Sequence, residues 1–174
     1  VVSGPGSFTG LRVGVAAVQG WAAALGRPVH AVPTLAAVLR ASRLDATDGA
    51  LVVPAVDGHR AEVFYALADP GAAGQERWRL PATVGSAPEA IAHVAPLASG
   101  RPILVTGNAA DHYGAVFSAA GWAIVAPAMP LAAAAVHLAA EGEIASAGPG
   151  DIRLEYVRRT DAEVNRERQA ARRT

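Results

Sequence analysis

Between Phe8 and Leu25 apolar residues recur every three or four positions, and Leu11, Val15, Val18, Ala22 and Leu25 fall on one face of a predicted helix. Beside that face runs a second stripe, Gly10, Gly14, Ala17, Trp21 and Ala24, made mostly of small residues. Each glycine inside a helix costs ~1 kcal/mol relative to alanine, so glycines at this spacing call for an offsetting gain such as the close approach of another helix. Val1-Val2 reads as the end of a strand, and the turn Ser3-Gly4-Pro5-Gly6-Ser7 leads into the helix, where Ser7 or Thr9 can cap the first-turn amides. Gly26 and Pro28 end it.

Further along, Val29 to Val32 predicts a short strand, and Thr34 is placed to cap a helix from Leu35 to Ser42. Leu51 to Val56 and Glu62 to Leu67 are β-rich runs on either side of Asp57-Gly58, which predicts a hairpin turning at that dipeptide. Arg77 to Val84 predicts a third strand. Helices are then expected over Ala87–Leu97, Ala110–Ala120 and Leu131–Glu141, with strands at Ile103–Thr106 and Trp122–Val125. Ser86 and Pro88 mark the first of these helix starts, and Asn108 or Asp111 is expected to cap the second. Strands first, then helix and strand in alternation, indicate an α/β fold with a mixed sheet covered by helices.

The 174 residues suit one domain or two small lobes, and 52% hydrophobic with 17% charged residues is the composition of a folded chain. Much of the apolar content is Ala and Val, which favours tight helix packing. Formal net charge is zero, so the overall balance attracts neither nucleic acid nor an anionic membrane. A local excess of arginine begins at Asp151 and predicts a solvated, charged tail over 151–174. There is no cysteine, which excludes disulfides and thiolate chemistry. The apolar runs are interrupted well before the ~20 residues of a membrane span, and a cytoplasmic protein is expected.

Gly4-Pro5-Gly6-Ser7-Phe8-Thr9-Gly10-Leu11-Arg12 invites comparison with phosphate-binding loops, because amides at a helix start form an anion site. Walker A requires Lys then Ser or Thr after its last glycine, where this chain has Leu11-Arg12, and its glycine spacing is one residue shorter. A dinucleotide fingerprint requires an acid about 20 residues on, and the first acid here is Asp45. Ser7 lacks the following glycine of a nucleophile elbow, since Thr9 stands there. His30, His59, His93, His112 and His137 contain no pair at helical zinc-site spacing. Asp57 with Glu62 is a possible carboxylate pair, and Asp111-His112 a possible ligand approach at a strand end; turn formation and capping are the simpler readings of each.

The string from Gly4 to Gly14, GPGSFTGLRVG, resembles the signature of the TsaB (YeaZ) family, and so does its continuation through Gln19-Gly20 to Val32-Pro33-Thr34-Leu35. Asp57 to Ala66 is similar to that family's D-A-R-x-x-E-V-Y hairpin, with Gly58 and His59 where Ala and Arg are usual. Val105-Thr106-Gly107-Asn108 and Leu154-Glu155-Tyr156-Val157-Arg158 are weaker matches, the last with Leu154 where Pro is common.

The resemblance implies an actin-like, Hsp70-like fold of two lobes, with 1–44 as what remains of an incomplete first lobe, 45–150 as the second and 151–174 as the tail. It implies that the family's N-terminal part, an Asp-Thr strand, a hairpin and a long helix, is not in this sequence. The function implied is that of a non-catalytic scaffold or dimerisation subunit. Its partners would be a TsaD-like catalytic subunit and a TsaE-like ATPase in threonylcarbamoyladenosine modification of tRNA, with a homodimer also possible. By the same resemblance the chain binds no cofactor alone, ATP acts at the level of the complex, and tRNA is reached only through the complex. Phe8, Gly10, Gly14, Ala17 and Trp21 are then expected at a partner helix, and Leu11, Val15 and Val18 at the sheet; burial of both stripes within one chain is the alternative. Gly4, Pro5, Gly6, Ser7, Thr9 and Arg12 form the family loop. A nucleotide-binding ATPase of the actin-like superfamily is the rival function.

Overall fold

Residues 1–44 and 49–157 are described by the structure, a computed structural model. The acid Asp45 and all of the expected tail from 158 onward lie outside the described residues.

β1 (Val2–Gly4) runs into the glycine-rich turn and α1 (Phe8–Leu25). The Ser7 side chain accepts the Gly10 amide at 3.3 Å, and Gly26, left-handed at φ 59°, closes the helix. β2 (Val29–His30) and β3 (Val32–Pro33) are two short strands where the sequence predicts one. β3 pairs in parallel with β1. α2 (Thr34–Ala41) follows at once, and Thr34 is its first residue and not its cap: the N-cap is Pro33, and the buried Thr34 hydroxyl makes no hydrogen bond.

The main sheet contains β4 (Leu51–His59), β5 (Glu62–Ala68), β6 (Trp78–Gly85), β7 (Ile103–Thr106) and β8 (Ala123–Val125), in the order β6-β5-β4-β7-β8. β4 is antiparallel to β5 and parallel to β7. The hairpin turns later than Asp57-Gly58 suggests. Those residues stay in β4 beside a bulge, and His59, Arg60 and Ala61 carry the positive φ angles of the turn. Continued alternation past Val56 keeps Asp57 opposite Val63, so the ladder outlasts the local turn preference.

α3 (Ala87–Ala98) opens with a capping box between Ser86 and Glu89. α4 (Asn108–Ala119) starts directly after β7 and has Gly107 as its N-cap, with no side-chain cap from Asn108 or Asp111. The Asn108 side chain instead accepts the Asp57 amide at 3.0 Å, tying the start of α4 to β4. Leu51, Val53 and Ala55 of β4 join Val94, Phe117 and Trp122 in the largest core, where the last two rings stack 5.3 Å apart. On the opposite face Val52 and Ala68 meet Leu39 of α2.

The chain then returns. α5 (Leu131–Ala140) places Leu138 against Val32 and Ala37, and β9 (Ser146–Ala147), which the sequence pattern does not reveal, pairs antiparallel with β2. Elements on both sides of residue 44 therefore pack and pair with one another. The architecture is an actin-like α/β fold, a mixed sheet flanked by helices.

One ion-pair network fastens the edge of the main sheet. Asp69, just after β5, meets Arg101 at 2.5 and 3.0 Å and Arg79 at 3.1 Å. The Arg101 hydrogen bonds hold the Asp69 carboxyl at about 2, below its usual 3.8. A carboxyl depressed on folding stabilises fully above its unfolded value, and that contribution is lost as pH falls from 3.8 toward 2. Asp69→Asn is expected to lower the neutral-pH melting temperature by a few degrees and to flatten the acid limb of stability between pH 4 and 2, measured by thermal melts across pH.

Candidate partner interface

α1 lies at the surface, with Leu11, Val15 and Ala22 buried. Val18 is half-buried, whereas Leu25, predicted on the same face, is 71% exposed. The second stripe is not enclosed by the described residues. Gly10, Ala17, Trp21 and Ala24 are exposed and Gly14 is half-buried. A Cβ built on Gly14 would meet no neighbouring atom within 4 Å, so no contact among the described residues collects the gain that would offset the helix cost of that glycine. Val13 at 65% and Trp21 at 66% exposure add large apolar surface to the same helix.

The family loop has a different environment. Ser3, Gly4 and Pro5 are buried, while Ser7, Phe8 and Thr9 are exposed. Residues 152–157 cross over the loop: the Glu155 amide donates to the Ser3 carbonyl at 2.8 Å, and a Cβ on Gly4 would overlap the Glu155 carbonyl. Arg12 stacks on Phe8, 4.2 Å from the ring centre, and donates its Nε–H to the Tyr156 hydroxyl at 3.1 Å. Phe8 and Tyr156 complete this cluster with ring centres 5.5 Å apart. The chain's own backbone thus covers Gly4, while Gly6 is half-buried and Gly10 exposed.

A cleft of about 340 Å³ lies between α2 and the β5–β6 hairpin, lined by Pro5, Pro33, Leu39, Trp78, Arg77 and Glu155 among others. Its charges do not suit a nucleotide triphosphate. Burial pushes the Glu155 carboxyl up, Glu143 also lines the cleft, and Arg77 already pairs with Glu143 at 3.4 Å.

At the far end of β4 the Asp57 carboxylate lies 3.4 Å from His59 Nδ1 and 4.0 Å from His112 Nε2, so two histidines flank it. His30 Nδ1 sits 2.8 Å from the Ile144 carbonyl, and His93 Nδ1 is 2.7 Å from the Tyr65 hydroxyl. Among the described residues no group of three or more His, Asp or Glu is arranged to hold a metal ion. No described helix is long and apolar enough to cross a membrane.

Comparison with known proteins gives a consistent pattern. The family described as TsaD: tRNA N6-adenosine threonylcarbamoyltransferase matches residues 1–141. Among solved structures, one described as an uncharacterized protein with similarity to peptidase YEAZ from Pseudomonas aeruginosa superposes with a TM-score of 0.57 at 26% identity, covering 90% of this chain and 71% of that one. YeaZ from Pseudomonas aeruginosa gives 0.53 at 25% identity, covering 88% and 70%. An uncharacterized protein of Mycobacterium leprae (strain TN) is 46% identical over 63 residues, which is 36% of this chain and 16% of that curated relative's length.

Proposed function

Because the chain belongs to the YeaZ (TsaB) type within the tRNA N6-adenosine threonylcarbamoyltransferase family, we propose that it is a non-catalytic subunit that docks on a TsaD-like catalytic subunit. The observation that carries this reading is the outward face of α1, where Gly10, Gly14, Ala17 and Trp21 present a shallow apolar surface that none of the described residues covers. Small residues at four-residue spacing let a second helix come close, and Trp21 supplies the kind of large side chain that dominates binding energy at interfaces. The Glu155 backbone over Gly4 and the two glutamates of the cleft favour contact over nucleotide chemistry on this chain. ATP then enters through a TsaE-like ATPase, and tRNA through the assembled complex.

Gly14→Leu tests the reading. Leucine is the better helix former and meets open space, so the melting temperature is expected to stay or rise. Capture of the TsaD-like subunit should fall about tenfold or more, as should the gain in threonylcarbamoyl transfer that the wild-type chain confers. Undiminished capture by a folded variant rules out this face as the contact.

A further inference from the structure

Small side chains leave room between α2 and the main sheet. Along β5 the large residues Val63, Tyr65 and Leu67 point into the core shared with α3 and α4, and the alternate positions Ala66 and Ala68 fall on the α2 side. Ala68 meets Leu39 of α2, and Ala66 contributes only a methyl group to the cleft of about 340 Å³ above it. Trp78, opposite Ala68 in the β5–β6 ladder and half-buried, forms one wall. Buried Leu35 and Leu39 of α2 and Leu138 of α5 form the other. The volume falls in the range of pockets that enclose small ligands, ~300–1,000 Å³.

Three ionisable side chains reach this apolar cleft, Arg77, Glu143 and Glu155. The Arg77 guanidinium is already committed, to Glu143 at 3.4 Å and to the Ala72 carbonyl at 3.2 Å. Among the described residues the Glu155 carboxyl has neither a cation nor a hydrogen-bond donor, and burial pushes it up with no opposing interaction. Its backbone is fixed independently, because the Glu155 amide donates to the Ser3 carbonyl at 2.8 Å. The cleft thus holds one carboxylate in excess on a strap that its side chain does not hold in place.

Charge and lining together select the ligand. A metal ion lacks ligands, since no group of three or more His, Asp or Glu converges among the described residues. An anion meets the excess carboxylate. An organic cation satisfies both features: its charged nitrogen pairs with Glu155, and its body lies against leucines and the Trp78 ring, whose face also attracts positive charge.

We propose that the cleft binds a small organic amine, protonated at nitrogen and carrying a flat or branched apolar body. Glu155 holds the ammonium, and Trp78 and Leu39 hold the body. No lining residue belongs to α1, so this site and the outward α1 contact can each fail without the other.

The probe is 2-phenylethylamine, titrated into the full chain and followed by NMR of the Trp78 indole N–H. Its controls are 2-phenylethanol, which keeps the ring and loses the charge, and ethylamine, which keeps the charge and loses the ring. The amine is expected to bind about tenfold more tightly than either control, the effect of one hydrogen bond to a charged group. Glu155→Gln should reduce its affinity to that of 2-phenylethanol. Because glutamine keeps the backbone bond to Ser3, the circular dichroism spectrum and capture of the TsaD-like subunit should be unchanged by that substitution. Equal binding of the amine and the alcohol by the wild-type chain overturns the site. So does full-strength amine binding by Glu155→Gln, or a Trp78 signal that does not move while the amine binds.

Discussion

Replacing Gly107 with alanine should cost about 3 kcal/mol of stability, the largest loss expected from any exchange of a glycine for alanine in the main-sheet half of the chain. Gly107 has φ +105°, a conformation that side chains rarely adopt, and a Cβ there would overlap the Ala55 carbonyl and lie 2.9 Å from Val38 Cγ1. Neither neighbour yields easily, since Ala55 is backbone in the central strand β4 and Val38 is buried on α2. The close approach lets α4 begin at the end of β7 and brings Asn108 to the Asp57 amide. Gly100→Ala is the control. Its φ is also positive, at +77°, but no atom lies within 4 Å, so it should cost only the backbone part, ~1 kcal/mol. Equal shifts in urea midpoint for the two variants would show that the overlap is relieved without strain.

Trp21→Ala is expected to weaken binding to the TsaD-like subunit about thirtyfold, the ~2 kcal/mol typical of an aromatic anchor, while leaving the fold intact. The indole is 66% exposed and belongs to neither of the core clusters built around β3 and β4, so its removal opens no cavity. Calorimetry with the purified partner measures the loss, and circular dichroism confirms the helix. A change smaller than about threefold places the energetic centre of the contact elsewhere.

Helix α1 was legible in the sequence from end to end. Its periodicity, the Ser7 cap and the Gly26 stop act within a few residues of one another, and the structure keeps both boundaries. The same holds for the strand positions of β4 to β8 and for the start of α3, where Ser86 and Glu89 close a local box. The misjudged positions share a cause. Thr34, Asn108 and Asp57-Gly58 follow local preference in the sequence, and each is reassigned by pairing outside the cap or turn itself, with β1, with Asp57 and along the β4–β5 ladder. Pro33 is held in β3 by β1, Asn108 is drawn to Asp57, and the β4–β5 ladder carries the hairpin on to Arg60.

Of the candidate site, the small-residue stripe was visible as a pattern, but its exposure was not. A glycine every fourth residue costs the helix the same whether the matching surface lies inside the chain or outside it, and the open space beside Gly14 appears only when every other element is placed. The covering of the family loop by Glu155 and Tyr156 was hidden for the same reason, because those residues lie more than 140 positions away along the chain.

The sequence by itself determined the helices, the strand runs, the family signature and the glycine stripe, since each is encoded by spacing and chemistry within a dozen residues. Only the tertiary structure decided which surfaces remain open. That depends on the return of α5 and β9 to the first strands and on the strap of residues 152–157. These features arise from contacts between distant segments, whose partners no local pattern names.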